Sequence, residues 1–126
     1  MQRLLLDTHV LLKTLADDPG LKPNTRNAIT DPMNEVYVSA VSVWEITIKR
    51  SLGKLEAPDG IASVVEESGF LELAITSFHA EQAGNLPPHH RDPFDRMLVA
   101  QAQAEGMSIV TSDSRIPLYG VRTIAA

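Results

Sequence analysis

Short apolar runs that end at a polar or acidic residue, each followed by apolar residues at helical spacing, constrain this chain more than any other feature. Leu4-Leu5-Leu6 reads as a buried strand with Asp7 at its carboxyl end. Val10, Leu11, Thr14 and Leu15 then recur at helical spacing until Asp17-Asp18-Pro19-Gly20 breaks the pattern. The same alternation continues. Asn24 is placed to cap a helix through Ile29, Glu35 to Val38 has strand propensity, and Val41, Trp44, Ile48 and Leu52 stripe a helix closed by Gly53. Pro58 to Glu67 reads as a further helix, Phe70 to Ile75 as a strand, and Thr76 or Ser77 as the cap of a helix through Ala83. Asn85 to Pro93, with three prolines and two histidines, is a loop. Pro93 to Glu105 is a strong helix with Gly106 just past its end, followed by a strand at Ser108 to Thr111 and an edge strand at Val121 to Ile124. Strands and helices alternating over short connections predict an α/β fold of three layers, a mainly parallel, doubly wound twisted sheet flanked by helices.

At 126 residues the chain has the length of one domain, and no linker or repeat divides residues 1–126. Its 44% hydrophobic and 21% charged fractions are those of an ordinary globule. The longest nearly uncharged run, Val36 to Trp44, is far short of a membrane span, and the opening MQRLLLDTHV does not read as a signal peptide. The absence of cysteine excludes disulfides and thiolate metal sites and fits a cytoplasmic protein. A net charge of −5 argues against a generic nucleic-acid binder, but not against a nuclease whose acids surround a cation.

The acids carry the chemistry. Asp7, Glu45, the pair Asp92 and Asp95, and Asp113 each follow a predicted strand or open a predicted helix. A parallel α/β fold binds ligands outside the carboxyl ends of its strands, so these positions should meet at one sheet edge. Converging carboxylates repel and are costly to bury unpaired. A hard divalent cation, Mg²⁺ or Mn²⁺, relieves that cost and makes the pocket a phosphate-handling site. Arg91, Arg96 and Arg115 stand close in sequence to these acids, either to grip phosphate or to form salt bridges.

Each acid also has a plainer explanation. Asp7 is well placed as an N-cap, and that reading is the stronger one for Asp7 alone. Ser42-x-x-Glu45 matches a capping box, and Trp44 belongs by its stripe to the core rather than to a substrate platform. Asp92, Pro93 and Asp95 fit N-cap, N1 and N3 of a helix. Capping accounts fully for Asp92 but only in part for Asp95, which shares a helical face with Leu98, Val99 and Ala102. The four histidines read as solvated or loosely hydrogen-bonded. His89-His90 could bind zinc, but no third ligand stands at a metal-site spacing, and His9 lies near Asp7.

The segments LLLDTHVLL, SAVSVWEITIK and HRDPFDRMLVAQAQAEGMSIVTSD, in this order and separation, resemble a PIN domain, and in particular the VapC-type toxins of type II toxin–antitoxin systems. The resemblance covers nearly the whole chain. It implies a Mg²⁺- or Mn²⁺-dependent endoribonuclease that cuts structured RNA, a cognate small antitoxin protein, and a homodimer. By motif position it assigns Asp7, Glu45, Asp95 and Asp113 to the site as catalytic and metal-ligating acids. Thr111 matches the small hydroxyl before the last acid, Asp92 either joins the site or remains a cap, and Arg96 and Arg115 are accessory. His9 stands where many relatives have Asn. The helices around Leu11, Trp44 and Ile48 have enough apolar surface to supply an antitoxin groove, and these positions serve equally well as ordinary core.

Three other readings share this fold class. A receiver-like signalling domain needs an acid beside Asp7 and a late lysine, but Thr8 follows Asp7 and the last lysine is Lys54. A haloacid-dehalogenase-type phosphatase needs an acid where His9 stands. Nothing in the sequence excludes a catalytically silent member of the PIN fold that acts only through a partner, but the four intact acids weigh against it.

Overall fold

The computed structural model describes residues 1–126. Five strands form one parallel sheet: β1 (Arg3–Leu6), β2 (Glu35–Ser39), β3 (Leu71–Leu73), β4 (Ser108–Thr111) and β5 (Thr123–Ala125), in the order β3-β2-β1-β4-β5. Leu5 pairs in register with Tyr37 on one side and Ile109 on the other. Six helices connect them: α1 (Thr8–Leu15), α2 (Pro23–Thr30), α3 (Ala40–Ser51), α4 (Ile61–Glu67), α5 (Ser77–Asn85) and α6 (Pro93–Glu105). No helix is long and apolar enough to cross a membrane.

The period-two alternation of the central strands builds two cores. Leu4 and Leu6 face one layer, packing with Val10, Leu11, Ile29, Ile46, Ile61 and Val65. Leu5 and Ile109 face the other, packing with Leu98, Val99, Ala102, Met107 and Ile116. Chain order turns outward on both sides of β1, so the ends of β1 and β4 lie at the switch point of a doubly wound sheet. The Asp7 N–H still bonds Val110 O at 3.1 Å, which carries the pairing to the first residue of that crevice.

The structure shifts several predicted boundaries. The strand read from Phe70 to Ile75 pairs only over Leu71–Leu73, at the sheet edge, and α4 begins at Ile61 after Gly60 takes the left-handed conformation (φ +64°). Lys22 and not Asn24 precedes α2, whose start is set by Pro23 at N1 without a side-chain cap. A single-turn 3-10 helix at Ile116–Tyr119 was not anticipated. The largest correction concerns α3. Its buried side chains are Val41, Ser42, Glu45 and Ile46, whereas Trp44 is 58% exposed and Leu52 62%. The helix is rotated from the purely apolar stripe because its inner face includes the polar pair Ser42 and Glu45. Trp44 is therefore not core.

Candidate functional site

The site is assembled where β1 and β4 end. Asp7 lies directly after β1 and is 3% exposed. One carboxylate oxygen accepts the Val10 N–H at 2.8 Å, so Asp7 does cap α1. The other accepts the Thr111 hydroxyl at 2.5 Å. Capping therefore takes up only one oxygen of Asp7 and leaves the other turned to Thr111 at the end of β4. Burial pushes the Asp7 carboxyl above its usual range, with the Thr111 and Val10 hydrogen bonds opposing. Thr111 in turn accepts the Asp113 N–H at 3.0 Å, linking the two acids through one hydroxyl.

Glu45 enters from α3 and is 3% exposed. Ser42 and Glu45 do not form a capping box, because Ser39 is the N-cap of α3 and its hydroxyl accepts the Val41 N–H. Both side chains instead turn inward to Thr8, whose hydroxyl lies 2.7 Å from Glu45 Oε1 and 3.0 Å from Ser42 Oγ. Lys49, one turn further along α3, holds Glu45 Oε2 at 2.5 Å, and that bond raises the lysine's pKa. Thr8, Ser42 and Lys49 were not anticipated from the sequence. An i,i+4 Glu–Lys pair is a visible signal, but it usually marks a solvated helix face.

Asp92 and Asp95 separate in role as the helix start predicted. Asp92 caps α6 by accepting the Phe94 N–H at 2.9 Å. Asp95, in the first turn, makes no cap and points its half-buried carboxylate into the crevice. Desolvation, followed by repulsion from Asp92, raises its pKa to about 7, against the attraction of His90. Asp113 lies beyond β4. There desolvation pushes upward, but hydrogen bonds from the Arg115 side chain and backbone and from His90 together hold the carboxyl down at about 2.

Two histidines depart from the solvated role expected of them. His90 is 4% exposed, with Nε2 2.9 Å from Asp113 Oδ2 and 3.0 Å from Asp95 Oδ2. His79 is 1% exposed, completes the capping box of α5 with Thr76, and bonds Glu105 at the end of α6, away from the acids. His9 and His89 are exposed, and His89 meets the Tyr119 ring edge-on. The sequence offered His90 no third partner, yet the fold gives it two. His90, Asp95 and Asp113 present ligand atoms within 4.8 Å of one another.

Arg96 is not free to grip phosphate. Its guanidinium donates to the carbonyls of Ala83 (2.9 Å), Leu86 (2.9 Å), Pro87 (3.2 Å) and His90 (3.2 Å), with Gly84 at 3.4 Å. Both terminal nitrogens are thus engaged in fastening the end of α5 and the loop that carries His90. The Tyr119 hydroxyl holds the same loop, accepting the His90 N–H and donating to Pro87 O, both at 2.8 Å. Arg115 remains exposed at the rim with its guanidinium on Asp113. Beside the acids, Trp44 meets Phe94 edge-on at 5.3 Å, above a shallow apolar groove that includes Val41, Ile75 and Met97. Of the two places open to Leu11, groove or core, the structure gives the core, where it is fully buried.

The donor set fits a hard divalent cation. Asp95 is desolvated and surrounded by the charges of Asp92, Glu45 and Asp7, with no lysine or arginine on its carboxylate. Asp95 and Asp113 bring carboxylate oxygens together at His90, whereas Asp7 and Glu45 stand outside that group with their oxygens held by hydrogen bonds. Hard oxygen donors of this kind suit a divalent cation such as Mg²⁺ or Mn²⁺.

A PIN domain family model matches residues 4–121. Solved structures align along almost the whole chain. The DNA-bound VapBC complex from Salmonella typhimurium shares 22% identity over 98% of both chains, with a TM-score of 0.70. FitAcB from Neisseria gonorrhoeae shares 18% over 97% of this chain and 96% of its own, with a TM-score of 0.65. A toxin–antitoxin complex from Klebsiella pneumoniae shares 14% over 97% and 96%, with a TM-score of 0.68. At such identities the likeness is one of fold. No curated protein matches this sequence. With the family model matched over residues 4–121, the chain belongs to the PIN-domain family.

Proposed function

We propose that the protein is a divalent-metal-dependent endoribonuclease, the toxin of a toxin–antitoxin pair. The observation that supports this best is the meeting of Asp95 and Asp113 beside Asp7 at the switch point of the sheet, with Asp95 carrying no cationic side chain of its own. Converging carboxylates of this kind favour a bound cation, which offsets the repulsion and desolvation that His90 and Arg115 offset in part.

Asp7, Asp95 and Asp113 would hold Mg²⁺ or Mn²⁺. When bound, such a cation supplies Lewis acidity at the scissile phosphate and acidifies water for hydrolysis of the phosphodiester. The remaining work belongs to the chain. The Val10 and Thr111 hydrogen bonds fix both oxygens of Asp7, so it meets the cation without reorganising. Glu45, locked by Thr8 and Lys49, holds its carboxylate fixed in the wall of the site. Arg115 stands at the rim, where its guanidinium can pair with non-bridging phosphate oxygens.

The partner reading follows from the aligned structures, which are toxin–antitoxin complexes by name. A small antitoxin, a homodimer and a cytoplasmic site of action complete the proposal, with arrest of translation through cleavage of structured RNA as the outcome.

The test is incubation of the purified chain with a mixed pool of structured RNA, with Mn²⁺ or Mg²⁺ and then with EDTA. Asp7→Asn and Asp95→Asn are run in parallel and checked for intact folding. Metal-dependent cutting that disappears in folded variants supports the reading. Intact RNA in every condition, from a protein that demonstrably binds Mn²⁺, rejects it in favour of a binding module or a DNA substrate.

A further inference from the structure

We propose that His90 is a positioning residue that competes with the cation: its Nε2–H fills the gap between Asp95 and Asp113 and lowers the affinity of the site, without serving as a ligand. The inference rests on the metal-site reading above and concerns how that site is tuned.

The tautomer decides the matter. The backbone N–H of Asp92 donates to His90 Nδ1 at 3.1 Å. A backbone N–H can only donate, so Nδ1 carries a lone pair and the ring proton is on Nε2. Nε2 lies 2.9 Å from Asp113 Oδ2 and 3.0 Å from Asp95 Oδ2. It therefore presents a hydrogen, not a lone pair, to the two carboxylates. Ligation through Nε2 would require the proton to move to Nδ1, which would turn a donor against the Asp92 N–H at the start of α6.

The ring cannot easily be recruited in another pose. Its loop is fastened by Arg96 from α6 and by the Tyr119 hydroxyl, and the side chain is 4% exposed. The N–H thus engages oxygen lone pairs that a cation needs. It relieves repulsion between the two acids and must be displaced when they bind a cation. A charge-assisted hydrogen bond lost on binding lowers affinity by about ten-fold or more.

Two variants separate the roles of the ring. His90→Asn keeps an amide oxygen close to the Nδ1 position for the Asp92 N–H, but nothing reaches the acids. His90→Gln extends an amide N–H toward them. Mn²⁺ affinity is measured by titration calorimetry on the full chain, with melting curves to verify folding. Electron spin-echo spectroscopy of bound Mn²⁺ reports whether a ¹⁴N nucleus is directly coordinated.

The expected result is Mn²⁺ binding at least about ten-fold tighter in His90→Asn, within about three-fold of wild type in His90→Gln, and no coordinated nitrogen in the wild type. Weaker binding by His90→Asn, or a nitrogen coupling on wild-type Mn²⁺, makes His90 a ligand and overturns the proposal. Equal binding by wild type and His90→Asn overturns it alone and leaves the metal site standing. No Mn²⁺ binding by either protein removes the metal site and this proposal together. The nitrogen measurement needs no variant, so a His90→Asn chain that fails to fold does not protect the proposal.

Discussion

Thr111 Oγ1 donates to Asp7 Oδ2 at 2.5 Å while it accepts the Asp113 N–H at 3.0 Å. A single buried hydroxyl therefore joins the ends of β1 and β4 and sets the spacing of two acids that are 106 positions apart in sequence. Thr111→Val keeps the shape and removes the bond. Asp7 then has one buried oxygen without a donor, at a cost of about 1–3 kcal/mol. The expected outcome is a lower denaturant midpoint with an unchanged slope, and a fall in RNA cleavage of at least about ten-fold. Unchanged activity in the folded variant would place Thr111 outside the site.

The acidity of Asp95 makes the stability of the metal-free protein depend on pH. Its folded-state value is raised from 3.8 to about 7, chiefly by desolvation. Between those values the folded chain holds a proton that the unfolded chain has lost, so the contribution of Asp95 to stability falls as pH rises through that window. Asp95→Asn removes the titration. It should match wild type near pH 4 and be more stable by about 1–3 kcal/mol near pH 8. Thermal melts in EDTA at the two pH values check this, and an equal difference at both would refute it. Asp113 acts in the opposite direction. Held down at about 2 despite desolvation, it contributes stability that is present above the ordinary carboxylate range and lost as pH falls toward 2.

Cation binding should reverse the Asp95 penalty. A ligand bound only by the folded state adds about 2.7 kcal/mol at a hundred times its Kd. Mn²⁺ is expected to raise the melting temperature of wild type most at pH 8, less at pH 5.5, and not at all in Asp7→Asn/Asp95→Asn. EDTA should restore the metal-free value. A shift of the same size in the double variant would locate the cation elsewhere on this acidic surface.

What the sequence made visible was local. Asp7, Asp92 and Asp113 are recognisable because a strand end or a helix start announces itself in the neighbouring residues, and the parallel topology then brings such ends together. The inner face of α3 was misread because Trp44 is apolar and Glu45 charged, whereas the fold exposes the first and buries the second. Only the partners Thr8 and Lys49, 37 residues before and four after Glu45, make that burial tolerable. His90 was invisible for a similar reason. Its position depends on a loop shaped by Arg96 and Tyr119, and long-range hydrogen bonds of this kind leave no periodic pattern.

Lys49 offers a test of how Glu45 is tolerated. Its ammonium holds Glu45 Oε2 at 2.5 Å while Thr8 reaches Oε1 at 2.7 Å. Lys49→Met preserves the stem and removes the charge, leaving a buried carboxylate paired only with a hydroxyl. The expected loss of stability is about 1–3 kcal/mol at pH 8, larger than for an exposed i,i+4 pair.

Arg96→Met tests the fastening of the His90 loop. The substitution orphans up to five carbonyls, three of them within 3.2 Å of the guanidinium in the stretch Leu86 to His90. The loss of several charge-assisted bonds should lower stability by about 2–4 kcal/mol and increase amide exchange at His89 and His90 before the central strands open. Phosphate contact, one of the two roles expected of Arg96, predicts the converse: unchanged exchange and melting, with weaker RNA binding that is sensitive to salt. Hydrogen exchange read residue by residue therefore distinguishes a structural clamp from a substrate-binding arginine without reference to catalysis.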